Sequence, residues 1–150
     1  MRRVSAPTHI MVHHSLTADD EALSWQAIRA YHTVFNKWDD IGYHYGVEKL
    51  GNEYEVLGGR PESDVAAACR EGKMNEKAIH VCCVGNFDKV PPSPQLLAKL
   101  VKYVLVPLVK RYKIPWGNII AHRDYAGYKT CPGRLFDMDK LRELVKLELS

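Results

Sequence analysis

A chain of 150 residues with 46% hydrophobic content has the size of one domain and can bury roughly 70% of its unfolded surface around a single core. Lys and Arg number 21 against 18 Asp and Glu, a formal net charge of +3 with no basic block, which argues against a nucleic-acid binder and is compatible with an anionic polymer as partner. No apolar run of signal-peptide or membrane-span length follows Met1-Arg2-Arg3, so neither an export signal nor an integral membrane segment is expected.

Residues 8–14 alternate, with Ile10 and Val12 on one face and Met11 and His13 on the other, which predicts a first strand whose C-terminal end presents a histidine. After the polar stretch 17–21, Ser24 suits an N-cap. Trp25, Ile28, Tyr31, His32 and Phe35 then recur at helical spacing as far as Asn36, predicting an amphipathic helix. Two β-prone segments, 42–49 and 53–57, flank Leu50-Gly51-Asn52, whose Gly-Asn pair suits a hairpin turn. The stretch 58–77, rich in Gly, Pro, Ala and charge, reads as a long loop with one helical turn over 64–69.

Residues 78–84 are apolar apart from His80 and predict a strand buried on both faces. Ser93-Pro94 opens a helix with an apolar stripe of Leu97, Leu100, Val101, Val104, Leu108 and Tyr112; Pro107 removes a backbone donor and is expected to kink it near Tyr103. Residues 118–121 read as a last strand delivering His122, and 138–149 as a closing amphipathic helix. The order β-α-β-β-loop-β-α-β-loop-α implies an α/β (α+β) fold, with a central mixed sheet of about five to six strands flanked by about three main helices. No repeat, low-complexity tract or composition shift interrupts 1–150, so one domain is expected.

Four cysteines, Cys69, Cys82, Cys83 and Cys131, do not suggest a disulfide framework, because Cys82 and Cys83 are adjacent in a strand and point to opposite faces. His122 and Cys131 have a different interest. A histidine at a strand end and a cysteine nine positions on, in a loop that folds back, can meet on one metal. Zinc accepts imidazole and thiolate together, and a catalytic site takes three protein ligands and leaves a position open. His13 and His14 both end the first strand and make a His, His, Cys site geometrically reasonable. On spacing alone, unrelated roles in core and loop remain the commoner outcome. His9, His32, His44 and His80 read as hydrogen-bonded structural histidines.

The combination shifts that balance. Val12-His13-His14-Ser15, Trp38-Asp39-Asp40-Ile41-Gly42-Tyr43-His44-Tyr45, Gly59-Arg60-Pro61, Val84-Gly85-Asn86-Phe87, His122-Arg123-Asp124 and Lys129-Thr130-Cys131-Pro132-Gly133 resemble, in order, the type 2 N-acetylmuramoyl-L-alanine amidases, a family that includes phage amidase-type lysozymes and animal peptidoglycan-recognition proteins. The resemblance implies Zn2+ as cofactor, with His13, His122 and Cys131 as its ligands, His14 being a variable neighbour. It also implies Tyr43 and Lys129 as catalytic residues, Tyr43 handling the proton of the attacking water and Lys129 stabilising the oxyanion. Without it, Tyr43 reads as a packing residue and Lys129 as a solvated charge.

The implied protein is a monomeric zinc amidase over 1–150, without a separate wall-binding module, acting on peptidoglycan. It would be a phage or prophage endolysin, made in the cytoplasm and released through a holin. The polymerase-inhibiting surface of some phage relatives uses an N-terminal extension and is not carried over. A histidine-containing run in the family's loop before the central strand is here Ala66-Ala67-Ala68-Cys69-Arg70-Glu71-Gly72-Lys73-Met74-Asn75, with Cys69 near the place of the absent histidine; stem-peptide preference is therefore open, and Cys69 reads as a buried small residue. Two alternatives stand beside the enzyme. One is a non-catalytic peptidoglycan-binding module, which Lys129 and Cys131 argue against; the other is a structural zinc module, which would need a fourth ligand such as His14.

Overall fold

Alternating and β-branched segments become five strands among the described residues: β1 (His9–His14), β2 (Tyr45–Leu50), β3 (Glu53–Gly58), β4 (Ala78–Cys83) and β5 (Ile119–Ala121). They form one sheet in the order β3-β2-β4-β1-β5. The structure, a computed structural model, describes residues 1–16 and 24–150; the polar stretch expected at 17–21 lies outside the described residues. Strands β1, β2, β4 and β5 run parallel, and β3 returns antiparallel to β2. The hairpin closes between Leu50 and Glu53 with Gly51 at φ 66°, the left-handed first position that a two-residue hairpin turn assigns to glycine.

Parallel strands are covered on both faces, and β1 and β4 are buried almost throughout. Ile10, Val12, Ile79, Val81, Ile119 and Ala121 join the main core, packed by Leu96, Leu100, Leu105, Leu108, Leu141 and Val145. These come from α3 (Pro94–Leu100), α4 (Val106–Tyr112) and α5 (Met138–Leu149). Met11, Cys82 and Ile120 turn the other way, into two smaller clusters. Alternation therefore sends His13, His80 and His122 to the face that the long helices leave uncovered.

Helix α1 (Trp25–Ala30) begins as expected, its cap Ser24 accepting from the Gln26 N–H. The buried Glu48 carboxylate accepts from the Trp25 N–H at 2.6 Å. The expected amphipathic stripe is only partly realised. Trp25 is buried, but Tyr31 and Phe35 are exposed, because Tyr31–Phe35 form a π-helical turn whose i→i+5 spacing carries them off the seam. A second π turn, Val101–Leu105, links α3 to α4, with the Val106 N–H reaching Val101 O. The expected kink at Pro107 is thus absorbed as a wider turn, consistent with the donor that Pro107 lacks.

The helical turn expected over 64–69 is not there. Asp64 bridges to Arg2, and Asn75 accepts from Ala66, Ala68 and Cys69 N–H groups, leaving them unavailable for a helix. Helical turns fall instead at Glu71–Lys73 and at α2 (Met74–Lys77). All four cysteines are free and buried. No helix among the described residues is long and apolar enough to cross a membrane.

Candidate metal centre

Strand register brings the first two residues together. Val12 pairs with Ala121 across β1 and β5, so the next residues, His13 and His122, sit side by side, their ring centroids 4.7 Å apart. Cys131 arrives from the loop after β5, its Sγ 3.6 Å from His13 Nδ1. One ligand atom from each of His13, His122 and Cys131 lies within 4.8 Å of the others, and all three residues are buried. His14 is directed elsewhere: its Nδ1 accepts from the Phe87 N–H at 3.2 Å, while its backbone N–H donates to Cys131 Sγ at 3.3 Å.

A histidine chain behind His13 settles its tautomer. His80 Nε2 lies 2.8 Å from Met74 O, and a carbonyl only accepts, so Nε2 carries the proton and His80 Nδ1 is an acceptor. That acceptor lies 2.8 Å from His13 Nε2, which must then be protonated. The His13 lone pair is left on Nδ1, the atom facing Cys131. Burial lowers the His13 and His122 pKa values, keeping both imidazoles neutral, as metal ligation requires.

The loop that carries Cys131 is clamped from two sides. Arg123 donates to the carbonyls of Thr130 at 3.2 Å, Gly133 at 2.7 Å and Phe136 at 3.1 Å, and its N–H donates to Cys131 O at 2.9 Å. Asp88, in the turn after β4, accepts from Thr130 Oγ1 at 2.9 Å and from the Arg134 N–H at 2.8 Å. Gly133, at φ 123°, lies where a Cβ would overlap the Phe87 backbone. Tyr43 precedes β2, half-buried, with its ring 5.1 Å from that of His13. Burial pushes its phenol well above the ordinary range, and its hydroxyl hydrogen-bonds with Cys82. Lys129 is exposed, its ammonium 5.7 Å from the Tyr128 ring centroid, yet its charge acts on His13, His122 and Cys131.

Residues 3–134 match the family described as N-acetylmuramoyl-L-alanine amidase. The chain belongs to that family. Among solved structures it is similar to the N-acetylmuramoyl-L-alanine amidase LysC from Clostridium intestinale, with TM-score 0.79 and 26% identity, covering 94% of this chain and 86% of that one. The Ph2119 endolysin from a Thermus scotoductus bacteriophage is comparable, with TM-score 0.77 and 26% identity, covering 97% of this chain and 88% of that one. Peptidoglycan-recognition protein LB of Drosophila melanogaster is 24% identical over 134 residues, covering 85% of this chain but only 56% of its own length.

For this family member the donor set fits zinc. Bond lengths of about 2.3 Å to sulfur and about 2.0–2.1 Å to nitrogen in a tetrahedron separate the two donors by about 3.6 Å, the distance found between Cys131 Sγ and His13 Nδ1. Burial pushes the Cys131 thiol up to about 12, so it would take a nearby cation to make it a thiolate at neutral pH. The roles of His80, Arg123 and Asp88 were not read from the sequence. A lone histidine in an otherwise apolar strand is the one local sign of His80; Arg123 lies inside the His122-Arg123-Asp124 motif without any local sign that it clamps the Cys131 loop, and nothing local distinguishes Asp88 from a surface charge.

Proposed function

We propose that this chain is a zinc-dependent N-acetylmuramoyl-L-alanine amidase that hydrolyses the amide between the lactyl group of N-acetylmuramic acid and L-alanine in peptidoglycan. The observation that carries this reading is the meeting of His13, His122 and Cys131, whose ligand atoms lie within 4.8 Å of one another with Cys131 Sγ 3.6 Å from His13 Nδ1, with Tyr43 beside them and the charge of Lys129 acting on them. A zinc ion held there would supply Lewis acidity to the scissile carbonyl and lower the pKa of a water.

The chain's own groups supply the rest. Tyr43, kept neutral by burial, orients the attacking water through its hydroxyl and helps pass a proton to the leaving amine. Lys129 presents positive charge to the oxygen on which negative charge develops. His80 holds the His13 ring in the one tautomer that offers Nδ1. The likeness to a bacteriophage endolysin supports a lytic enzyme that meets the wall of its bacterial host.

The test is zinc content and release of new L-alanine amino termini from purified peptidoglycan, for the wild type beside Cys131→Ser and His13→Ala. One tightly held zinc per chain with cleavage, both lost in each variant, is the expected result. The peptidoglycan-recognition relatives motivate the competing reading: wall binding with zinc but without cleavage would make the chain a binding module.

A further inference from the structure

Two loops far apart in the chain meet beside His122. Cys69 Sγ lies 3.6 Å from Glu71 Oε1, and ligand atoms of Cys69, Glu71 and His122 lie within 4.8 Å of one another. Each contributor is fixed. The Cys69 N–H donates to Asn75 Oδ1 at 2.8 Å, and the Tyr128 hydroxyl donates to Glu71 Oε2 at 3.0 Å, leaving Oε1 toward the sulfur. Between them Gly72, at φ 62°, lets the Tyr125 ring approach where a Cβ would collide with it, locking the 69–75 loop to the loop after β5.

A cysteine sulfur, a carboxylate oxygen and an imidazole nitrogen are the donors that borderline divalent cations select. Sulfur and oxygen bound to one tetrahedral zinc stand about 3.6 Å apart, as Cys69 Sγ and Glu71 Oε1 do. His122 belongs to this group and to the one with His13 and Cys131. A neutral imidazole has one free lone pair, its other nitrogen carrying the proton, so His122 serves one cation at a time.

We propose that Cys69, Glu71 and His122 form a second site for a zinc-class divalent cation, which draws His122 away from the first and so inhibits when the cation is in excess. Binding releases the Cys69 thiol proton to solvent and needs no other reactant. Glu71 is half-buried and Cys69 fully buried, so the cation enters from the Glu71 side. Inhibition rests on the amidase reading above; cation binding by itself does not.

The experiment separates the two. Cobalt(II) is titrated into metal-free Cys131→Ser and Cys69→Ser/Cys131→Ser proteins while the near-ultraviolet thiolate-to-cobalt absorption is followed. The proposal expects the band in the single variant and its loss in the double variant; equal spectra overturn it, whatever the enzyme does. Peptidoglycan cleavage is then followed as zinc is raised beyond one equivalent. Wild type is expected to lose activity while Cys69→Ser and Glu71→Gln, equally active at one equivalent, keep theirs. Inhibition of all three alike overturns the regulatory part.

Discussion

His80 is fully buried and is not one of the candidate ligands, yet its Nδ1 determines which nitrogen His13 offers to a metal. Removing such an orienting partner costs metal affinity by about 10–100-fold. His80→Ala is therefore expected to weaken zinc binding by that factor, measured by chelator competition, while the circular dichroism spectrum stays that of the wild type. His44, one step further back, makes a different prediction. Its Nδ1 accepts from the His80 N–H at 3.0 Å and its Nε2 faces Asp64 O at 2.8 Å, so protonation would set two donors against each other. Burial, with Arg3 and Arg60 nearby, lowers its pKa to about 4, against the pull of Asp64 O and Glu62. The unfolded chain, with an ordinary histidine near 6.5, binds more protons between those values, so stability is lost as pH falls from about 6.5 toward 4, on the order of 3 kcal/mol from this residue. Urea unfolding at pH 7 and pH 5 reads the part of that loss reached by pH 5, about 2 kcal/mol, and His44→Asn, whose oxygen can accept without titrating, reduces the slope.

At the scale of elements, the candidate metal centre depends on a loop that has no regular secondary structure to hold it. Arg123 supplies that rigidity by gathering three carbonyls with one guanidinium, a fork that lysine cannot reproduce. Arg123→Lys is expected to release zinc faster than wild type, by about tenfold or more on the scale of lost orienting contacts, without unfolding; dissociation into a colorimetric chelator reads it directly. Much of the element plan was legible in the sequence. Ser24, Ser93-Pro94 and the Gly51-Asn52 turn act through their immediate neighbours, and the strands carrying His13 and His122 follow from alternation and apolar runs. The displaced helical turn was not legible, since Asn75 reaches back to Ala66, Ala68 and Cys69 and competes with local helix formation. Nor were the π turns, which local spacing does not announce.

For the whole molecule, the three candidate ligands come from β1, from the end of β5 and from the following loop, so a bound ion joins segments 118 residues apart. An ion that binds only the folded chain adds about 4 kcal/mol when free metal stands 1,000-fold above its dissociation constant. Chelation is expected to lower the wild-type urea midpoint accordingly and to leave Cys69→Ser/Cys131→Ser, which keeps neither cysteine donor, unchanged. Periodicity and caps, properties of neighbouring residues, made the main secondary-structure order readable from the sequence, and the ordered motifs carried the family resemblance, which implied the candidates His13, His122, Cys131, Tyr43 and Lys129. That His80 stands behind His13, that Arg123 and Asp88 clamp the Cys131 loop, and that Cys69 and Glu71 face His122 emerged from the folded arrangement alone. Those pairings follow from parallel strand order and from loops packing across the sheet's open face, and such contacts between distant segments leave no local pattern to read.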